Sequence, residues 1–362
     1  GPFEYADDKY MWQFIEEGTG NQGLMDMTLE GNSRLVHGGV YHYNTDNIDY
    51  TRVRFENFGF TAANIRFSAG WDMIDCEVVN SSMSISQYST GAVMFSTTND
   101  ATIDNIFIDE TTSGQVRGYG IKCFGPSPTQ PVVDNLRIIN PFVLVTPTSN
   151  FGTGGTANIA IEIHNTLATD IEILGGDINE NISLVRPDGQ ADPGTHAVTV
   201  DGLYMHPTAG YAMELTFHNV IVRNCYFLGG KFASIFQTAG PTHGPASTNW
   251  QIYKNVFVNP YTPGGQAGAI RSTNWGFANM FVYNNTFHWL STSSGVSCMV
   301  TFNGKNSSNI QFKNNLVWDE TNAAVMTLNS GGAVSGSTFS YNQLWGLTQG
   351  GLSGVTYSNN LT

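Results

Sequence analysis

The chain has 362 residues, of which 40 are glycine and only 12% are charged, and its formal net charge at pH 7 is −14. With just 15 basic residues, the chain is a poor match for nucleic acid or an anionic membrane surface, because both attract positive charge. No stretch reaches the ~18 apolar residues of a membrane-spanning helix, so we expect neither nucleic acid nor a membrane as a partner.

The predicted elements begin with a cap and continue as one long domain. Residues 1–23 are predicted as an N-terminal cap, in which residues 9–17 (KYMWQFIEE) form a short helix over the open end of the fold. Residues 24–362 are rich in the residue types that favour strands and turns. The early strand segments are Arg34–His37, Tyr50–Phe55, Asp75–Val79, Asn135–Ile139 and Thr169–Leu174.

A repeated phrase follows in the second half of the chain. A similar short sequence motif occurs three times, 30 residues apart, and contains Asn255, Asn285 and Asn315. Less similar copies contain Cys225 and Asn342. A fixed long period in a chain of short apolar segments predicts stacked coils of one structural unit. Because a side-chain amide both donates and accepts, we expect these asparagines to form a ladder from coil to coil.

Each repeated strand is preceded by another short strand, and these strands align on one apolar residue. If that residue points inward, the alternation of a strand sends the next residue outward. The inward residues are Met94, Ile121, Ile161, Met213, Ile235, Ile270, Met299 and Met326. The predicted outward column is Phe95, Lys122, Glu162, Glu214, Phe236, Arg271, Val300 and Thr327.

The outward column contains a candidate catalytic group. In this alignment Glu162 and Glu214 lie on adjacent coils about 4.8 Å apart, and His164 lies on the same face of the Glu162 strand. Two neighbouring carboxyls have pKa values that are pushed apart, as acid–base chemistry requires. The alternative is that the same residues belong to a solvated, charged surface.

Further residues are candidates for binding a substrate. Lys122 and Arg271 are candidate substrate binders or counter-charges, and small residues beside the inward column, such as Gly120 and Ala160, are predicted to form a floor. Extra loops at 180–197 and 239–249 are expected to line a binding face. Trp250 and Trp275 are candidate stacking platforms for sugar rings, and His243 lies in the second loop.

From about Leu24 onward, the chain resembles the right-handed, single-stranded parallel β-helix proteins of the pectin-lyase-like superfamily. The phrases ending in Asn255-Val-Phe, Asn285-Thr-Phe and Asn315-Leu-Val carry this resemblance, which is specific for the fold and weak for the activity. It implies an all-β solenoid that acts on a polysaccharide lying along its parallel strands. It also implies a secreted protein or part of a phage tail, either a monomer or a homotrimer.

Three functions remain open. The first is glycoside hydrolysis by Glu162 and Glu214, which requires no cofactor. The second is β-elimination on a uronic-acid polymer, in which a Lys or Arg is the base and carboxylates hold Ca²⁺. The third is a tailspike or adhesin that binds a glycan without cleaving it. Because the chain is acidic and Arg271 lies about 14 Å beyond Glu162 at the usual strand spacing, hydrolysis is favoured over elimination.

The four cysteines, Cys76, Cys123, Cys225 and Cys298, lie in strand-like segments at irregular spacing. This pattern favours buried thiols over disulfide bonds or a metal site.

Overall fold

The computed structural model describes most of the chain, with short gaps. The described residues are 10–18, 22–32, 38–82, 84–85, 88–111, 119–123, 132–146, 159–164, 167–185, 198–207, 211–229, 233–237, 247–258, 269–272, 276–290, 298–302, 306–320, 325–329, 333–346 and 353–361. Two compact units divide the chain, Gly1–Pro187 and Asp188–Thr362. Each is a stack of coils in which short strands run along three faces.

The first unit contains β1 to β19, numbered in chain order. Its first face consists of β1 (Tyr10–Gly18), β3 (Gly38–Thr45), β5 (Thr61–Arg66), β10 (Gly91–Phe95), β13 (Tyr119–Cys123), β16 (Ile161–His164) and β19 (Ile182–Val185). Each of these strands pairs in parallel with the next.

The other two faces of the first unit also consist of parallel strands. The second face contains β2 (Gln22–Glu30), β4 (Ile48–Glu56), β6 (Ser68–Ile74), β11 (Thr98–Asp104), β14 (Val132–Ile139) and β17 (Leu167–Leu174). The third face contains β7 (Glu77–Val79), β12 (Phe107–Glu110), β15 (Phe142–Val145) and β18 (Asp177–Ile178). An antiparallel hairpin of β8 (Ser84–Ile85) and β9 (Tyr88–Ser89) follows β7.

The second unit repeats this plan. Its first face contains β22 (Tyr211–Leu215), β25 (Ala233–Gln237), β28 (Ile270–Ser272), β31 (Cys298–Phe302) and β34 (Val325–Asn329). Its second face contains β20 (Val198–Asp201), β23 (Val220–Arg223), β26 (Ser247–Tyr253), β29 (Phe277–Tyr283), β32 (Ser307–Lys313), β35 (Val334–Ser335), β36 (Ser337–Ser340) and β38 (Val355–Ser358). Its third face contains β21 (Tyr204–Met205), β24 (Tyr226–Leu228), β27 (Val256–Val258), β30 (Thr286–Trp289), β33 (Leu316–Asp319) and β37 (Gln343–Trp345).

The expected asparagine ladder is present at the turn between the second and third faces. Asn285 Oδ1 accepts from the backbone N–H and from Nδ2 of Asn255, at 2.9 and 3.0 Å. The same pair of bonds links Asn285 to Asn315, Asn315 to Asn342, and Asn342 to Asn360. Because the ladder amides from 255 to 342 are buried, each coil satisfies polar groups of the coil before it.

A second, more exposed amide ladder has the same period. Asn249, Asn279 and Asn309 each donate from Nδ2 to Oδ1 of the asparagine 30 residues earlier, beginning at Asn219. All four have positive φ values between 52° and 58°, a conformation that asparagine tolerates better than most residues. These asparagines have the same 30-residue spacing in the sequence, but this second ladder was not predicted.

The predicted capping helix is wrong. Residues Tyr10–Gly18 form β1, a strand that pairs in parallel with β3. A short apolar segment can satisfy either a helical or a strand pattern, and the pairing with β3 decides between them. Lys9 lies outside the described residues.

The core of the second unit contains a column of stacked apolar rings. Phe227, Phe257 and Phe287 stack on successive coils at 4.9 and 4.8 Å between ring centroids. Cys76, Cys123 and Cys225 are buried thiols without disulfide bonds, as expected, while the side chain of Cys298 lies outside the described part. No helix among the described residues is long and apolar enough to span a membrane.

Candidate functional site

The first face of the first unit places a lysine and a glutamate side by side. Ile121 pairs with Ile161, and Lys122 pairs with Glu162. Both isoleucines are fully buried, whereas Lys122 and Glu162 are half-buried. The predicted inward and outward positions are therefore confirmed for these two strands.

Lys122 and Glu162 form an ion pair that is largely shielded from solvent. Lys122 Nζ lies 2.8 Å from Glu162 Oε2, and the two side chains are 16% and 12% exposed. Lys122 Nζ also lies 3.8 Å from the ring centroid of Tyr119, within cation–π range. Since little water screens these groups, the pair is held more firmly than an ordinary surface ion pair.

The outward column continues toward the N-terminus with uncharged residues. Lys122 pairs with Met94, Met94 with Asn64, and Asn64 with Tyr41. Arg66 lies over the Tyr41 ring at 5.6 Å and donates from Nε to Asn64 Oδ1 at 3.3 Å. Met94, Asn64 and Tyr41 are 5%, 1% and 6% exposed, so this part of the column offers little accessible surface beside the Lys122–Glu162 pair.

The predicted alignment slips by one residue at three strands. Ile121 pairs with Val93, and Lys122 with Met94, so the inward residue of that strand is Val93. Ile270 pairs with Val300, where Met299 was expected, and Val300 pairs with Thr327, where Met326 was expected. Apolar runs such as Val93-Met94-Phe95 allow either register, because every residue in them suits the interior.

Glu162 and Glu214 are not cross-strand neighbours, contrary to the sequence prediction. The strand that follows β16 on the first face is β19, and it places Ser183 next to Glu162. The segment 180–197, predicted as an extra loop, therefore contains one strand of an additional coil, Ile182–Val185. A four-residue strand that is preceded by Asn181 and followed by Arg186 and Pro187 is too short to identify from its pattern alone. Residues 186–197 lie outside the described part.

Glu214 has its own neighbours within the second unit. Glu214 pairs with Phe236, and Phe236 pairs with Arg271, which confirms the predicted register for β22, β25 and β28. Burial is the main cause that raises the pKa of Tyr211 to about 12; the Glu214 carboxylate raises it further and the Arg271 guanidinium lowers it. Both charges therefore act on the Tyr211 phenol.

The predicted floor of small residues is not an exposed surface. Ala160, Ala212, Ser234 and Ala269 are fully buried. A Cβ on Gly120 would lie 2.6 Å from Cγ1 of Val143, a core residue on the third face. Gly120, Ala212 and Ser234 lie within β13, β22 and β25, so these small residues belong to the packed interior and not to a surface that a ligand could reach.

Trp250 cannot be a stacking platform for a sugar. Its side chain is fully buried, its Nε1 donates to the Phe217 carbonyl at 2.9 Å, and its ring packs edge-on against Phe277. Residues 247–249 of the predicted second loop belong to β26. Trp275, His243 and the side chain of His164 lie outside the described residues, and the His164 backbone ends β16.

Tyr119 and Tyr211 are site residues that the sequence analysis missed. Each lies three residues before a charged outward residue, Lys122 or Glu214, at the start of its strand. That repeated spacing was the available signal. Among the described residues, no group of three or more His, Cys, Asp or Glu side chains could hold a metal ion.

No known protein family matches the sequence, and no curated protein is similar to it. Solved structures do match. A tailspike protein mutant of E. coli bacteriophage HK620 in complex with a pentasaccharide gives a TM-score of 0.57 at 12% identity, over 90% of this chain and 60% of that one. The surface protein and adhesin PfbA of Streptococcus pneumoniae gives 0.52 at 10% identity, over 96% and 93%.

The chain spans 60% of the length of the tailspike that it matches, and at such low identity the likeness concerns the fold. The parallel β-helix fold expected from the asparagine phrases is therefore confirmed.

Proposed function

We propose that the protein binds a polysaccharide along the outward side of the first face. The observation that carries this proposal is the shielded Lys122–Glu162 pair beside Tyr119. A carboxylate accepts from sugar hydroxyls, an ammonium donates to them, and an aromatic ring offers apolar contact. The solved tailspike of the same fold holds a pentasaccharide, which supports a glycan as the partner.

The binding test compares Glu162→Gln with a matched control. Arg137 and Glu172 form a similar cross-strand pair in the same unit, but on the second face, with a distance of 3.0 Å. The wild-type protein is first screened on an array of plant, marine and bacterial capsule polysaccharides. We expect Glu162→Gln to weaken binding to the selected glycan about tenfold, equivalent to about 1.4 kcal/mol, and Glu172→Gln to leave it unchanged. Equal effects of the two variants, or no bound glycan, would refute the proposal.

Glycoside hydrolysis is the second candidate function. It is favoured by the half-buried positions of Glu162 and Glu214 on the first faces of their units, where a carboxyl could protonate a glycosidic oxygen. Hydrolysis commonly uses two carboxyl groups about 5–9.5 Å apart, and the cross-strand neighbours of Glu162 are Lys122 and Ser183. This register makes binding the better supported function.

Product analysis separates the catalytic alternatives. Incubation with the selected glycan is followed by measurement of reducing ends and of the ultraviolet absorbance of unsaturated uronates, with added Ca²⁺ and with a chelator. Reducing ends that disappear in Glu162→Gln or Glu214→Gln would establish hydrolysis. Unsaturated products that depend on Ca²⁺ would establish β-elimination, and an unchanged glycan would leave binding as the function.

The location and assembly are proposed on similar grounds. The solved structures of the same fold come from a surface adhesin and a phage tailspike, so we propose an extracellular or virion location. A monomer or a homotrimer is expected, and light scattering coupled to size-exclusion chromatography distinguishes them.

A further inference from the structure

Two tyrosines occupy the same position on the first faces of the two units. Tyr119 lies two residues before the buried Ile121, and Tyr211 lies two residues before the buried Met213. The register of each strand is fixed by its neighbour, through Ile121 with Ile161 and Met213 with Ile235. Both tyrosines are half-buried, so the equivalence concerns position and environment as well as sequence.

In the first unit, the tyrosine belongs to a trio with one cation and one carboxylate. The Tyr119 ring lies against Lys122 Nζ, and Lys122 Nζ lies against Glu162 Oε2. The ring thus restricts the ammonium, and the ammonium restricts the carboxylate. A group fixed in this way loses less conformational entropy when it binds a ligand.

In the second unit, Tyr211, Glu214 and Arg271 are a second trio with the same three kinds of group, and Phe236 lies on the strand between Glu214 and Arg271. Glu214 and Arg271 lie on β22 and β28, with β25 between them. At the usual strand spacing their backbones are about 10 Å apart, a distance that a glutamate and an arginine side chain together can span. Tyr211 and Glu214 share β22, and the register places Glu214 and Arg271 in one cross-strand row through Phe236.

We infer that the two trios are two separate sugar-binding subsites, one in each unit, for neutral hexopyranose residues. This inference rests on the proposed glycan-binding function. Each trio contains one positive and one negative group, so it offers donors and acceptors to hydroxyl groups while its own charge is balanced. A uronate or sulfated sugar would add a negative charge beside a pair whose charges already balance. The chain has a net charge of −14, so it would repel such a sugar.

The test counts binding sites with short oligosaccharides. The probes are pentasaccharides from neutral β-glucan, mannan and galactan, and from the anionic polymers alginate and polygalacturonate. Isothermal titration calorimetry of wild type is expected to give two sites per chain for a neutral pentasaccharide and at least tenfold weaker binding for the anionic ones. Glu162→Gln and Glu214→Gln are each expected to leave one site, and the double variant none.

Conservative variants separate the subsites from general effects on folding. Tyr119→Leu removes the ring beside Lys122 and is expected to weaken one site, whereas Tyr119→Phe keeps the ring and is expected to retain both. Tyr226→Leu, at an exposed side chain of the third face, is the matched control for Tyr119→Leu, and urea unfolding checks that each variant is folded.

The failures of the two proposals are distinguishable. If wild type has one binding site, and only one of the two glutamate variants loses it, the inference of two subsites is wrong. A preference for the anionic pentasaccharides would also overturn it. In both cases the proposed glycan-binding function would stand. Two sites that both survive in the double variant would also overturn the inference. The absence of binding to every polysaccharide and pentasaccharide would refute the proposed function and the inference with it.

Discussion

Asn285 offers a direct test of how much the buried amide ladder contributes to stability. Its Oδ1 accepts from the backbone N–H and Nδ2 of Asn255, and its Nδ2 donates to the Ile252 carbonyl at 2.9 Å and to Asn315 Oδ1 at 3.0 Å. Asn285→Ala removes all of these bonds at once. We expect this variant to be strongly destabilised.

The magnitude follows from the groups that would be left without a partner. Asn255 Nδ2 keeps its bond to the Val222 carbonyl, and Asn315 Oδ1 keeps the bond from the Asn285 backbone N–H. The Asn255 N–H and the Ile252 carbonyl lose the amide that bonded them. An unsatisfied buried polar group costs about 1–3 kcal/mol, so we expect a loss of about 2–6 kcal/mol in the free energy of unfolding.

The assay is urea unfolding followed by tryptophan fluorescence. Asn279→Gly is the matched control, since Asn279 belongs to the more exposed ladder and glycine adopts its φ of 57° without strain. We expect the control to lose less than about 1 kcal/mol, because solvent can replace exposed hydrogen bonds. Equal losses in the two variants, or a loss below about 1 kcal/mol for Asn285→Ala, would show that backbone pairing alone holds the turns.

Three further predictions concern buried side chains. Burial lowers the pKa of His42, which is hydrogen-bonded to Tyr50, to about 4. Because the unfolded chain binds this proton more readily, the free energy of unfolding should fall on the order of 3 kcal/mol as pH drops from 6.5 to 4. His42→Gln should remove this pH dependence when unfolding is measured across the same pH range. Burial raises the pKa of Glu110 to about 7, so its contribution to stability should fall as pH rises from 4.5 to 7; a Glu110→Gln variant with the same slope as wild type would contradict this. Trp250→Ala should lower the free energy of unfolding in urea by about 3–5 kcal/mol, because a fully buried ring is lost. Trp318→Ala, at a side chain that is 49% exposed, should lower it by less than about 1 kcal/mol. Similar losses in the two variants would contradict the assignment of Trp250 to the core.

The candidate site shows where reasoning from sequence succeeds and where it stops. The pairing of Lys122 with Glu162 followed from one inward residue per strand, and the structure confirms it. The pairing of Glu162 with Glu214 required a correct count of coils. That count failed because β19 is four residues long and lies in a segment with the composition of a loop.

Trp250 shows a second limit. Tryptophan suits both a sugar platform and a core, and the sequence analysis assigned it to the platform. Its burial depends on which side of β26 faces Phe277 and the Phe217 carbonyl. That orientation is a property of the packed coils, since a one-residue change of register would reverse it.

The sequence alone determined the coil period, the buried asparagine ladder and the all-β fold. The reason is that a 30-residue repeat of short strands is stable only when each coil pairs with the next coil. Only the tertiary structure decided that Tyr10–Gly18 is a strand, that Ser183 lies beside Glu162, and that Tyr119 lies beside the Lys122–Glu162 pair. The physical reason is that these features depend on pairing between strands that are distant in sequence, and parallel pairing energy is realised only when the coils are stacked.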